Sequence, residues 1–187
     1  MNYSKEPTKR YKRPEEVVLP PIPTQLFDRF ELLFSQFNVK QQAPLDILER
    51  LYSYMDEYNK FVATFTVCEK GCSACCNIPV NISRLEAEYI SKKAGKSVTN
   101  KIIQKSGSCP FLSETGTCSI YRQRPFNCRT FHTADDPKYC STNEDHVVYG
   151  VSSLGYGSAI LSQIAELIRI LNVYYNGEYK DIRSFFG

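Results

Sequence analysis

The chain has 187 residues, of which 42% are hydrophobic and 23% are charged, a composition typical of a globular protein large enough to bury a core. Its net charge of +3 is too small to favour nucleic-acid binding by the domain as a whole. The N-terminus lacks the apolar core of a signal peptide, and no apolar run reaches the roughly 18 to 20 residues that cross a membrane. We therefore expect a cytoplasmic protein with no membrane partner.

Residues 1–23 are predicted to form a flexible arm ahead of a single domain at 24–187. The arm contains five basic side chains, and its five prolines favour an extended backbone. One interpretation is electrostatic contact with nucleic acid or an acidic partner. The other, which we favour, is a solvated terminus, because a few basic residues in a short tail are common.

Two long helices are predicted to follow the arm. The first runs from Thr24, as a cap, to about Gln36, and the second begins at Pro44 and continues toward Phe65. In both, apolar residues recur at three- and four-residue steps and form one wide apolar face. Both helices are best interpreted as parts of the hydrophobic core.

The remaining elements are shorter, apart from one last helix. A capping box, Ser83-Arg-Leu-Glu86, predicts a helix that ends at Gly95. A short helix is expected at 99–105, then a hairpin over 109–121 and a helix from Pro125 that places Cys128 and His132 on one face. A final helix is predicted from about residue 153 to 175, and the segment 179–186 is expected to pack back. The fold class is thus mainly α, with a short β-hairpin.

Eight cysteines are the most unusual feature of the sequence, and four of them fall within nine residues. Clustered cysteines in a reducing compartment are more often metal ligands or catalytic groups than disulfides. Neighbouring Cys75 and Cys76 also cannot bridge each other without strain. Metal binding is therefore favoured, while redox-active thiols and disulfides remain open. The candidate ligands are Cys68, Cys72, Cys75, Cys76, Cys109, Cys118, Cys128 and Cys140.

The cysteine spacing indicates that the bound metal is a soft one but does not identify which metal it is. Thiolates select zinc, copper(I) or iron–sulfur clusters. The vicinal pair argues against a plain zinc ribbon, and neither common ferredoxin spacing is present. Such a pair can serve two metals, a polynuclear cluster, or one metal with a spare thiol.

Several other residues near the cysteines in sequence could have either a functional or a structural role. His132 is a further candidate, as a ligand or as a group that steers a thiolate, although a lone histidine is more often structural. His146 is expected at the surface. Arg122, Arg124 and Arg129 could offset the negative charge of the thiolates or pair with surface acids.

The order of the cysteine motifs resembles one known family. C-x3-C-x2-C-C at 68–76 is followed by C-P-F-L at 109–112, G-x-C-S-I-Y-x-x-R-P at 116–125 and C-R-x-F at 128–131. This order resembles the YkgJ-type cysteine-cluster family, described as zinc- or iron-chelating domains, over about residues 65–140. The sequence departs from it at Ser73-Ala74, where many relatives have a glycine.

The resemblance implies a cysteine-rich centre that chelates zinc or iron and is flanked by helices. It assigns no cellular role and leaves open whether the protein is an enzyme or which protein partner it has. One branch, the flagellin lysine N-methylases, looks like iron–sulfur enzymes with a related cluster. The alternatives are therefore a metal-stabilised module, an iron–sulfur oxidoreductase or methyl-transferring enzyme, a metal-handling protein and, least favoured, a nucleic-acid-binding zinc module.

Overall fold

The structure is a computed structural model that describes residues 3, 11, 13, 16–69, 71–99, 107–142, 144, 146–151 and 156–187. Helices dominate this part of the chain, in agreement with the predicted helix-rich domain. The helices are α1 (Thr24–Ser35), α2 (Pro44–Val62), α3 (Arg84–Ala94), α4 (Phe126–Thr130), α5 (Ala159–Tyr174) and α6 (Ile182–Phe186). The strands are β1 (Asn81–Ser83), β2 (His132–Thr133), β3 (Val148–Val151), β4 (Tyr156–Ser158) and β5 (Tyr179–Asp181).

The main hydrophobic core lies between α1, α2 and α5, which supply the long apolar faces. Leu51, Leu161 and Ile164 are completely buried in it. Aromatic rings make up much of the rest, and the buried hydroxyls of Tyr58 and Tyr149 lie 2.6 Å apart in a hydrogen bond. This pair joins α2 to β3, so the helices and the small sheet share one core.

The first two helices occur where predicted, with different ends. The N-cap of α1 is Pro23, and Thr24, which we predicted as the cap, is the first helical residue. Pro44 opens α2 as predicted, but the helix ends at Val62 and does not reach Phe65. Beyond its end, the Val62 carbonyl accepts from the Thr66 hydroxyl at 3.0 Å and from the Phe65 and Thr66 amides, both at 3.2 Å.

Helix α3 confirms its predicted start and stop. The Ser83 hydroxyl accepts from the Glu86 amide, and the Glu86 carboxylate accepts from the Ser83 amide. Gly95 ends the helix in a left-handed conformation with φ of 64°. The predicted return of the C-terminal segment is also confirmed, because β5 pairs antiparallel with β1 and α6 follows it.

The later elements differ more from the sequence prediction. Helix α4 ends at Thr130, and Phe131 is extended, so His132 begins β2 and does not share a helical face with Cys128. Helix α5 begins at Ala159, because β4 occupies 156–158 and the Ser158 hydroxyl caps the helix. The earlier part of the predicted helix, at 152–155, lies outside the described residues.

Three further expectations concern short segments. The predicted hairpin is present as a single antiparallel bridge between Leu112 and Cys118. The helix predicted at 99–105 falls mainly on residues outside the described part, and Thr99 itself is not helical. Within the predicted arm, the Tyr11 ring is buried, and its amide donates to the Ala134 carbonyl at 3.0 Å. None of the helices in the described ranges is both long and apolar enough to span a bilayer.

Candidate metal centre

Six of the eight cysteines line one cavity of about 50 Å³, whose wall comes from α4, the start of α6 and the loops at 71–80 and 109–125. They come from three separate segments of the chain, which tertiary packing brings together. No two cysteines in this structure form a disulfide, so all eight are free thiols. The cysteines on the cavity wall are Cys72, Cys75, Cys76, Cys109, Cys118 and Cys128.

The first cysteine segment is held against β2. The Val67 amide donates to the Thr133 carbonyl at 2.9 Å, and the Thr133 amide donates to the Cys68 sulfur at 3.2 Å. A 3-10 helix over Ala74–Asn77 then carries the vicinal pair Cys75 and Cys76. The start of this loop is therefore fixed by one backbone hydrogen bond and by one to the Cys68 sulfur.

The second segment docks directly on the first. The Cys109 amide donates to the Cys76 carbonyl at 2.8 Å. The chain then reverses through Gly116, whose φ of 75° favours glycine, and returns Cys118 opposite Leu112. Cys109 and Cys118 thus face the cavity together, as the hairpin prediction required, and α4 adds Cys128.

Cys140 lies outside the cavity wall but close to the first segment. It is buried in a 3-10 helix over Pro137–Ser141, which packs against the 3-10 helix Ala74–Asn77. The Asp136 carboxylate starts that helix by accepting from the Lys138 amide at 3.1 Å. The structure therefore brings Cys140 back to the vicinal pair despite its distance along the chain.

Burial keeps most of these thiols protonated when no metal is bound. It raises the pKa of Cys68 to about 11 and that of Cys140 to about 12, and it also raises the pKa of Cys128. Cys75 is the exception: its interaction with the Cys76 thiol lowers its pKa to about 7, while the pKa of Cys76 rises. A metal ion would have to displace these protons on binding.

The three arginines near the thiols have different roles. Arg124 lines the cavity, and its charge lowers the pKa of Cys75. Arg129 is buried, with its guanidinium paired to Asp56 and stacked 4.3 Å from the Tyr52 ring centroid, so its role is structural. Arg122 is exposed and supplies a backbone carbonyl to Arg129.

Neither histidine lines the thiol cavity. His132 is buried, and its Nε2 lies 2.8 Å from the Arg129 carbonyl and 3.2 Å from Asn59 Oδ1. Because both partners are acceptors, Nε2 carries the proton, and burial lowers the pKa of the ring to about 4. The side chain of His146 is only 14% exposed, contrary to the predicted surface position, and it lies 3.7 Å from the Asp135 carboxylate.

Residues 67–147 match the model of the CxxCxxCC family, described as "Putative zinc- or iron-chelating domain". The match covers less than half of the chain, and we call residues 67–147 the CxxCxxCC domain after the model that they match. All eight cysteines fall within it, which confirms the resemblance to a cysteine-cluster family of metal-chelating domains. No curated protein and no solved structure matches the chain.

The donor set of the CxxCxxCC domain fits a thiophilic metal. Within the described residues, no three Cys, His, Asp or Glu side chains lie close enough together to hold an ion as they stand. The six cavity thiols nevertheless share one wall, and rotation about the Cα–Cβ bond repositions a sulfur without moving the backbone. Zinc and iron are the ions that such all-sulfur sets prefer.

Sequence reasoning missed Arg183, which ties two cysteine segments of the CxxCxxCC domain together. Its buried guanidinium donates to the Gly107 carbonyl at 2.7 Å and to the Ile78 carbonyl at 3.2 Å. Asp181 lies 3.2 Å from the guanidinium and offsets its charge. No local signal identifies this role, because Arg183 lies in the C-terminal segment far along the chain.

A cleft of about 330 Å³ beside the thiols was also missed. Cys75 and Cys128 form part of its wall, and most of the remaining lining is apolar, including Ile78, Val80 and Phe131. Asn127, which also lines it, donates its side-chain amide to the Asn81 carbonyl at 2.7 Å. A small molecule in this cleft would therefore contact the cysteine segments directly.

Proposed function

We propose that this protein binds zinc or iron through the thiolates of its CxxCxxCC domain and that the bound metal stabilises that domain. The observation that carries the proposal is the convergence of six cysteines from three segments on one small cavity. Free thiols in such numbers serve no packing purpose, because cysteine is only a small hydrophobe. A reducing compartment such as the cytoplasm is part of the proposal, since it keeps the thiols available.

The proposal assigns the metal a structural role because the part of the domain outside α3 has few other sources of order. The smallest of the apolar clusters to which the domain contributes has only three buried members, Ala134, Val147 and, from outside the domain, Tyr11. Apart from α3, its helices and 3-10 helices have at most five residues, too short to be stable alone. When ligands converge only in the folded chain, the free energy of ligation becomes free energy of folding.

The first test is the metal and acid-labile sulfide content of protein purified anaerobically, with its visible absorption spectrum. Zinc without colour or sulfide is the expected result and agrees with a structural site. Fast exchange of that zinc with a chelator, without unfolding, would instead indicate a metal-handling protein. Absence of both metals together with blocked thiols would refute metal binding and favour disulfides.

The second candidate is an iron–sulfur enzyme, and the cleft beside Cys75 and Cys128 is the observation in its favour. Its volume of about 330 Å³ is in the range of small-molecule sites, and its lining is mainly apolar. An iron–sulfur cluster at the thiols would supply electron transfer next to a molecule bound there. Iron with matching sulfide and a brown chromophore would make this candidate the leading one.

A further inference from the structure

The C-terminal segment, residues 178–187, reaches the thiol cavity although it lies outside the part of the chain that the family model matches. Its strand β5 pairs antiparallel with β1, and the Arg84 amide donates to the Glu178 carbonyl at 2.8 Å. This pairing places the buried side chain of Ile182 on the cavity wall. The cavity is therefore closed in part by residues that do not belong to the CxxCxxCC domain.

The next residue, Arg183, spans two cysteine segments at the point where they meet. Its guanidinium donates to the Gly107 carbonyl at 2.7 Å and to the Ile78 carbonyl at 3.2 Å. Ile78 lies two residues after Cys76, and Gly107 lies two residues before Cys109. These two cysteines are joined directly, because the Cys109 amide donates to the Cys76 carbonyl at 2.8 Å. Arg183 therefore holds together the two backbones whose separation sets the distance between these cysteines.

The Arg183 side chain is itself fixed in place. Its guanidinium lies 3.2 Å from both carboxylate oxygens of Asp181, and the Arg183 amide donates to the same carboxylate at 2.9 Å. Asp181 also accepts from the Val80 amide at 3.0 Å, and both charged side chains are buried. A planar guanidinium binds a carboxylate and two carbonyls in a fixed geometry, which the ammonium group of a lysine does not impose. The pair thus forms a rigid support under the cysteine segments.

Apolar contacts attach the rest of the C-terminal segment to the hairpin that carries Cys109 and Cys118. Phe185 is completely buried in a cluster that includes Phe111 of the hairpin, and both cysteines pack against this cluster. The rings of Phe111 and Phe186 meet edge to face, with 4.9 Å between their centroids. The segment therefore contacts the cysteine-bearing hairpin through apolar as well as polar groups.

We infer that the C-terminal segment is part of the metal centre and that Arg183 positions Cys76 and Cys109 for the metal. The inference rests on the proposed function and adds to it a positioning residue from outside the CxxCxxCC domain. The separation of the two cysteines has to suit the ion, and Arg183 restricts that separation before the ion binds. Because coupling between two equilibria is reciprocal, docking of the segment favours metal binding, and bound metal favours docking to the same extent.

The first test compares metal affinity in the full-length wild type, Arg183→Gln and Arg183→Lys, with zinc or, if the purified protein contains iron, with iron. Loss of a group that orients metal ligands typically weakens binding by about 10- to 100-fold. We expect a loss of that size in Arg183→Gln and a smaller one in Arg183→Lys, which keeps the charge beside Asp181. Arg169→Gln is the matched control. Arg169 is exposed and pairs with Glu166 on α5, so its loss changes the net charge equally and should leave the affinity unchanged.

A second measurement separates positioning of the ligands from general stability. In the wild type, saturating metal should slow hydrogen exchange of the amides at 179–187, as reciprocal coupling requires. In Arg183→Gln, metal should still slow exchange at 107–142 but no longer at 179–187. Leu51→Ala, which weakens the core between α1, α2 and α5, should keep the metal affinity of the wild type. Should Arg183→Gln fail to fold, the exchange measurement on the wild type decides, because it needs no variant.

The outcomes separate this inference from the proposed function. Unchanged metal affinity in Arg183→Gln, or exchange at 179–187 that is the same with and without metal, would overturn the inference while leaving metal binding intact. An equal loss of affinity in Leu51→Ala would also overturn it, because general stability would then explain the effect. Failure of the wild type to bind zinc or iron would refute the proposed function itself.

Discussion

The helical body and the CxxCxxCC domain of this protein obtain their order from different sources. The helical body, α1, α2 and α5, buries a continuous apolar face, and side chains such as Leu51 and Tyr58 are completely shielded from water. The CxxCxxCC domain, 67–147, contains one longer helix, α3, and otherwise short strands and helices of at most five residues joined by loops. Burial is enough to explain the first region, whereas the second depends on polar clamps and, in our proposal, on metal.

Two of these polar clamps join the CxxCxxCC domain to the rest of the molecule. Arg129 of α4 reaches α2 through Asp56 and the Tyr52 ring. The buried carboxylate of Glu86 accepts from the Tyr52 hydroxyl and from the Phe126 amide, both at 2.7 Å. Because these contacts belong to both regions, changes to them test how far the two regions depend on each other.

Metal removal is expected to have the largest effect. Structural zinc contributes about 10–16 kcal/mol in small zinc peptides at neutral pH. Chelation should therefore abolish the hydrogen-exchange protection of amides at 107–142, while α2 and α5 stay protected because their core has no metal ligand. Equal loss of protection in both regions would contradict the contrast between them. Return of protection on adding zinc is the control.

Leu51→Ala is the complementary change in the helical body. Truncation of this completely buried side chain should lower the free energy of unfolding by about 2–5 kcal/mol. The number of metal ions per chain should stay unchanged, since Leu51 lies in the body and does not line the thiol cavity. Denaturant unfolding and metal analysis of the same samples measure both quantities. Loss of metal at temperatures where the variant remains folded would show that the regions are not separable.

Arg129→Ala removes a clamp between the two regions. We expect a loss of about 3 kcal/mol, because the substitution leaves a cavity and removes the donor of the hydrogen bonds to the Arg122 and Arg124 carbonyls. Asp56→Ala is the matched control. The Asp56 side chain is 60% exposed, so its removal should cost less than about 1 kcal/mol. Similar losses in the two variants would mean that the ion pair, and not the backbone contacts, gives Arg129 its role.

The smallest predicted effect is the change in stability with pH that His132 causes. This residue lies where the CxxCxxCC domain contacts α2, through Asn59. Its pKa is about 4 in the folded protein against 6.5 for a free histidine. Between these values the unfolded chain binds more protons, so the contribution to stability is complete above pH 6.5 and is lost as the pH falls toward 4. From pH 7.5 to pH 5 the loss should be about 2 kcal/mol.

The control for this pH effect is His132→Gln, which has no titrating ring. The difference between the unfolding free energies of wild type and variant isolates the histidine from the acid-induced release of metal that both proteins share. An identical pH dependence in the two proteins would show that His132 titrates normally.

The sequence alone determined the features that depend on neighbouring residues. The capping box of Ser83 and Glu86 and the left-handed stop at Gly95 are local hydrogen-bond patterns, so they could be located without a structure. The long amphipathic helices followed from apolar periodicity, although their ends differed where Pro23 or Ser158 took the cap position. The density of cysteines likewise indicated thiolate chemistry, and the order of the cysteine motifs carried the resemblance to the family before any fold was known.

Only the tertiary structure decided how distant residues combine. Which cysteines neighbour each other depends on the packing of Cys140 against the vicinal pair and on the hydrogen bond between Cys109 and Cys76. Arg129 and Arg183 became structural clamps because burial removed their access to water, and His132 left the predicted helix because Phe131 is extended. These outcomes depend on burial and contacts between segments far apart in the chain, and local spacing carries no information about either.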